Sequence, residues 1–131
     1  DNMSNMPWSV IEAIATEGPR ATELYALMPL DMSINRVLPG HGDYEANAAA
    51  MDTFFGCTEW RAVVAQYRTS AQRPQLRHAL LELYMDRLRA HWPYVVPVRD
   101  VKRVGRQRLY RMLFCSRHVA ALNIVDWERT Y

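Results

Sequence analysis

The stretch that decides the fold lies late in the chain, where residues 94–115 read YVVPVRDVKRVGRQRLYRMLFC. Its two arms, Tyr94–Val101 and Arg108–Cys115, are rich in β-branched and aromatic residues, which favour strands. Gly105 lies in the connection between them. Because two such runs joined through a glycine are typical of a hairpin, the sequence predicts a pair of antiparallel strands here.

One further strand and several helices are predicted outside the hairpin. The apolar run Thr22–Leu30 follows Gly18-Pro19, and its length favours a buried strand over a helix. Apolar spacing, caps and breakers predict five helices. They run from Pro7 to Gly18, from an Asp43 cap to Gly56, from a Thr58 cap with Tyr67 as its last apolar position, from Pro74 to about His91, and from Val119 to Trp127. Four tryptophans on these elements are predicted to anchor the core: Trp8, Trp60, Trp92 and Trp127.

This order of elements predicts a single mixed α/β domain over residues 1–131, with few strands for its helices. An open three-stranded sheet covered by five or six helices is typical of half of a larger fold. The 131 residues are 50% hydrophobic, which is enough to bury a core.

Composition also narrows the cellular setting. No apolar run approaches the roughly 18 to 20 residues that span a bilayer, so we expect no membrane-embedded segment. The two cysteines, Cys57 and Cys115, cannot build a disulfide scaffold. No signal-peptide pattern is present at the start of the sequence, and we therefore expect a cytoplasmic protein.

The net charge of +2 hides a strong asymmetry between the two halves of the chain. Residues 1–60 carry two basic and nine acidic side chains, and residues 61–131 carry fourteen basic and five acidic ones. Seven positive charges fall within nineteen residues around the hairpin: Arg99, Lys102, Arg103, Arg106, Arg108, Arg111 and Arg117. This basic cluster is suited to phosphates, and Tyr94 and Tyr110 offer stacking faces for nucleic acid. Its tip residues Lys102, Arg103 and Arg106 are the candidate contacts.

The alternative is that the same arginines are neutralised within the fold. The acidic first half could supply their partners, which would leave a solvated edge in place of a binding site. Arg108 and Arg111 lie inside a predicted strand, and they are the members most suited to internal pairing.

A second candidate site is Asn35-Arg36, which follows the end of the first predicted strand. Ligands of open α/β sheets gather outside the carboxyl ends of strands, and a forked arginine can hold a phosphate or a carboxylate there. Alternatively, Asp31 pairs with Arg36 and no site exists.

Metal and nucleophile chemistry have weaker support in the sequence. The four histidines are scattered and no cysteine lies at a ligand spacing, so we expect no metal site. Cys115 has His118 three residues later, which leaves a cysteine nucleophile open. The alternative is that both cysteines are small hydrophobic core residues without reactivity.

Several segments, in order, resemble the three-Cys-motif partner family, a bacterial group described by its genetic neighbour. The family has a Trp followed by an Ile-Glu-Ala-Ile-Ala helix, an apolar strand ending in Phe-Pro-Leu, a stretch containing Asn-Arg, a Phe-Gly-Thr-(Asp/Glu)-Trp element and a closing hairpin. The similar segments here are Pro7–Ala15, Leu24–Leu30, Ser33–Leu38, Phe55–Trp60, and the pair Tyr94–Pro97 and Leu109–Phe114.

The resemblance implies the C-terminal half of a Rossmann-type methyltransferase-like fold. Family members carry a glycine-rich cofactor loop after their first strand, and this sequence has no such loop. The resemblance therefore implies that an N-terminal half is missing and that S-adenosylmethionine, if it is used, binds there. It also implies a radical-type iron–sulfur protein, the three-Cys-motif protein, as a partner.

Overall fold

The computed structural model describes residues 6–19, 22–29, 44–102 and 109–123, which form helices packed on a small sheet. The helices are α1 (Trp8–Glu17), α2 (Tyr44–Phe55), α3 (Trp60–Gln66) and α4 (Arg73–Arg89), with a short 3-10 turn at Ser70–Gln72. The strands are β1 (Leu24–Pro29), β2 (Tyr94–Lys102) and β3 (Leu109–Ser116). The predicted mixed α/β class, with helices packed on a small sheet, is therefore confirmed.

The sheet has the order β1-β3-β2, with β3 antiparallel to both neighbours. The predicted hairpin is therefore confirmed, and the two outer strands β1 and β2 run parallel to each other. The ladder between β2 and β3 is irregular between Pro97 and Arg99. Pro97 has no N–H to donate, and this explains why an edge strand with a bulge accommodates it.

The helix predictions are confirmed in most cases. Helix α1 ends where Gly18 donates its N–H to the carbonyl of Ile14 at 3.1 Å, and α4 begins one residue before Pro74. The Thr58 cap is wrong, because α3 begins at Trp60 with Glu59 at the capping position. Asp43 lies outside the described residues. Of the predicted helix Val119–Trp127, the described part contains a single helical turn at 121–123.

The main core lies between the helices and one face of the sheet. Trp8, Trp60 and Trp92 are buried in it, as predicted from the sequence, whereas Trp127 lies outside the described residues. Tyr84 of α4 lies at the centre, where its ring stacks on Phe54 with centroids 4.6 Å apart. Helix α4 contributes six buried residues to the core: Leu76, Leu80, Leu81, Tyr84, Met85 and Leu88.

Each buried indole N–H has an acceptor. Trp60 donates to Asp52 at 2.8 Å, Trp92 donates to the carbonyl of Thr22 at 2.9 Å, and Trp8 donates to Glu12. Arg61 also binds Asp52, and this hydrogen bond, together with that of the Trp60 indole, holds the pKa of the Asp52 carboxyl below its usual value. The tryptophans are thus buried without a lost hydrogen bond.

The end of α2 requires a glycine. Gly56 has a φ of +67°, in the left-handed region, and a Cβ built on it would lie 2.2 Å from the Cδ1 atom of Trp8. The backbone conformation and the lack of space therefore both exclude a side chain at this position.

We expect Gly56→Ala to lower the free energy of unfolding by about 2 to 4 kcal/mol, because the substitution adds backbone strain and overpacks the core. Urea denaturation measures the loss. Gly56→Asn is the informative control, since asparagine tolerates a positive φ but still brings a Cβ to Trp8. A loss below about 0.5 kcal/mol for Gly56→Ala would show that Trp8 can move away at little cost.

Candidate functional site

Most of the site residues proposed from the sequence lie outside the described residues. This applies to Asn35 and Arg36, and to Arg103 and Arg106. Lys102 is the last residue of β2. Because β2 and β3 pair up to Lys102 and Leu109, the described ladder leads directly to the arginine-rich connection.

Three other members of the basic cluster are described, and two of them are engaged within the fold. Arg111 forms an ion pair with Asp100, its cross-strand neighbour on β2. The prediction that Arg111 pairs internally is confirmed, although its partner belongs to the second half of the chain and not to the acidic first half. Arg99 is exposed on the same strand as Asp100.

Arg117 has a structural role that the sequence did not reveal. It donates to the carbonyl of Ala15 at 2.8 Å and to the carbonyl of His91 at 3.2 Å, and its guanidinium lies 5.6 Å from the Trp92 ring. These contacts join the end of β3 to α1 and to the residues after α4. We therefore remove Arg117 from the candidate phosphate contacts.

The aromatic residues proposed as stacking faces are only partly exposed. Tyr94 packs against the small apolar cluster of Val98, Phe114 and Ala121 on the outer face of the sheet. Tyr110 lies on the same face of β3 and lines a cavity beside β1. Neither ring is presented to solvent as a free stacking platform.

The cavity beside β1 was not predicted. It has a volume of about 380 Å³, and its walls come from α1, α2, α4, β1 and β3. Burial raises the pKa of the Tyr84 hydroxyl in its wall, so that this group stays protonated at neutral pH. The lining is uncharged throughout: Met6, Ile11, Leu24, Tyr25, Ala26, Leu27, Pro29, Phe54, Tyr84 and Tyr110.

The cavity also corrects the interpretation of β1 as a buried strand. Ala26 and Met28 face the core and are buried, but Tyr25 and Leu27 are 51% and 47% exposed. The reason is that β1 is an edge strand whose outer face is only partly covered. The uninterrupted apolar run Leu24–Leu30 is the feature of the sequence that indicates an apolar side chain on both faces of β1, including the partly exposed outer face.

Of the two cysteines, Cys115 is fully buried in the main core. Burial raises the pKa of the Cys115 thiol to about 12, and His118 is exposed. Cys57 is partly buried against the main core. No cluster of three or more metal-ligating side chains occurs among the described residues. None of the described helices is long and apolar enough to cross a bilayer.

We expect the two cysteines to differ in reactivity because the thiolate is the reacting form. Iodoacetamide should modify Cys57 in the folded chain and leave Cys115 unmodified, while both should react in urea. Mass spectrometry of the peptides measures each site. Equal modification rates in the folded chain would contradict the inert, buried state of Cys115 and reopen its assignment as a nucleophile.

A search with the sequence and the fold finds no matching protein-family model, no similar curated protein and no similar solved structure.

Proposed function

We propose that this chain is the C-terminal half of a Rossmann-type, methyltransferase-like protein of the three-Cys-motif partner family. In this proposal the protein acts on or beside nucleic acid, with a radical-type iron–sulfur protein as its partner. The observation that carries the proposal is the strand arrangement, because β1 and β2 run parallel and β3 is inserted between them in the antiparallel sense.

This arrangement supports the proposal through its connections. Parallel strands need a long crossover, which is usually helical. Here the segment between β1 and β2 contains α2, α3 and α4. Helical crossovers between parallel strands are the building principle of Rossmann-type sheets. The β2–β3 hairpin lies where the resemblance expects a closing hairpin.

The described residues do not fit a cofactor-binding loop. In Rossmann-type folds the glycine-rich loop lies between a strand and the helix that follows it. Gly18 and Gly56, the described glycines, each follow a helix. In this proposal no residue of the chain has a catalytic role, and S-adenosylmethionine binds in the N-terminal half that the resemblance implies.

We expect S-adenosylmethionine and S-adenosylhomocysteine to bind the full gene product and not the 131-residue chain alone. Isothermal titration calorimetry of both samples, each shown to be folded by circular dichroism, measures the difference. The chain alone serves as the control for binding outside the cofactor half. Absence of binding by both folded samples would reject the methyltransferase-like proposal.

A second candidate function is a non-catalytic module that binds RNA through the basic hairpin. The observation in its favour is that the described ladder ends at Lys102, beside the connection that contains Arg103 and Arg106, with Arg99 exposed on the same strand. Cations along one hairpin end are suited to the phosphates of a single strand.

For this second candidate, we expect Arg103→Ala to weaken binding of a single-stranded RNA and to lower the salt slope of log K by about 0.7, the value of one phosphate contact. Fluorescence anisotropy at several salt concentrations measures both. Arg68→Ala, which removes a charge from the exposed segment after α3, is the matched control. An equal effect of the two substitutions would indicate general attraction and reject a hairpin site.

A further inference from the structure

Asp100 is the single acidic residue inside the basic cluster. From Arg99 to Arg117 the sequence carries seven basic side chains and one carboxylate, that of Asp100. This carboxylate accepts a hydrogen bond from Nε of Arg111, its cross-strand neighbour on β3, and the two groups form an ion pair. An anion within a cationic surface lowers the positive potential around it, and Asp100 therefore affects any phosphate that approaches the hairpin.

The ion pair between Asp100 and Arg111 is accessible to solvent. The side chains of Arg111 and Asp100 are 30% and 42% exposed, and Arg99 beside them is exposed as well. An exposed ion pair contributes little to the stability of a fold, because water and salt screen both charges. The pair can therefore open, and an anion from solution can reach the guanidinium of Arg111.

Asp100 differs in this respect from Asp52, another carboxylate that pairs with an arginine. Asp52 binds Arg61 and also accepts the indole N–H of the buried Trp60, so that its removal would leave a buried donor unpaired. Among the described residues, the carboxylate of Asp100 has Arg111 as its one hydrogen-bond partner. Loss of the Asp100 charge therefore changes the electrostatics of the hairpin and leaves the contacts of the core unchanged.

We propose that Asp100 competes with RNA phosphates for Arg111 and thereby limits how far along the hairpin an RNA strand is bound. This inference rests on the second candidate function, in which the basic hairpin binds RNA. A guanidinium binds carboxylate and phosphate through the same donors, so the two anions compete at Arg111. While Asp100 is paired with it, Arg111 is neutralised and adds no phosphate contact. The bound strand is then restricted to the other cations of the hairpin, and its affinity is lower than the number of arginines suggests.

The test is the salt dependence of RNA binding by Asp100→Asn. Asparagine keeps an oxygen that accepts the hydrogen bond of Arg111 but removes the negative charge. We expect this variant to bind a single-stranded oligouridylate about two- to fivefold more tightly, the value of one exposed ion pair. The salt slope of log K should become steeper by about 0.7, the value of one added phosphate contact. Fluorescence anisotropy at several salt concentrations measures both quantities.

Two controls separate a released contact from a general change of charge. Asp86 pairs with Arg89 at 2.6 Å on the surface of α4, so Asp86→Asn changes the net charge equally away from the hairpin and should leave the slope unchanged. The second control is Asp100→Asn in an Arg111→Gln background. Its slope should equal that of Arg111→Gln alone, because no guanidinium is released.

The outcomes distinguish failure of this inference from failure of RNA binding itself, once circular dichroism shows that each variant is folded. If Arg103→Ala lowers the slope of the wild-type chain but Asp100→Asn does not steepen it, the inference is overturned and the RNA-binding function stands. A steeper slope that also appears in Asp86→Asn, or that persists in the Arg111→Gln background, overturns the inference as well. Absence of RNA binding by both the wild-type chain and Asp100→Asn rejects the RNA-binding function together with the inference that rests on it.

Discussion

The guanidinium of Arg87 joins three of the helices that pack around the main core: α1, α2 and α4. It donates to the carbonyls of Phe55 and Gly56, both at 3.0 Å, where α2 ends, and it lies 4.6 Å from the ring of Trp8 on α1. The last carbonyls of a helix have no partner within the helix and carry its partial negative charge. A cation from α4 therefore stabilises this end of α2, and the missing side chain at Gly56 leaves room for Trp8 beside it. Charge, aromatic packing and backbone conformation depend on one another at this junction.

Arginines of the basic second half also bind acceptors in the acidic first half at other positions. Arg61 binds Asp52, Arg87 binds the end of α2, and Arg117 binds the carbonyl of Ala15 at the end of α1. In each case an arginine from the basic half meets an acceptor from the acidic half. In two of these three cases the acceptors are main-chain carbonyls near helix ends, so the arginines bind helix ends as well as carboxylates. Part of the basic excess is therefore a consequence of how the helices are joined, and the arginine count alone overstates the surface available for phosphates.

The sequence predicts local structure well where the signal is local. The spacing of Trp8, Ile11 and Ala15 predicts α1, and the glycine-containing link between two β-branched runs predicts the hairpin. The role of Arg117 is not predictable in this way, because its acceptor Ala15 is 102 residues away in the sequence. The position of β1 at the sheet edge has the same cause, since strand order depends on contacts distant along the chain. The proposed contacts Asn35, Arg36, Arg103 and Arg106 remain predictions.

The sheet also shows why an apolar run is an ambiguous signal. A strand that is apolar at every position is expected to be covered on both faces. In β1 the helices cover Ala26 and Met28, whereas the outer face around Leu27 is only partly covered. On the neighbouring strands the same outer face is covered around Val98 and Phe114 by the turn that contains Ala121. The outer face of the sheet is thus covered less toward β1 than toward β2, although β1 is as apolar as the other strands. The apolar sequence of β1 is therefore suited to burial on both faces, whereas the described residues cover its outer face only in part. A further strand or layer at this edge would bury the exposed side chains.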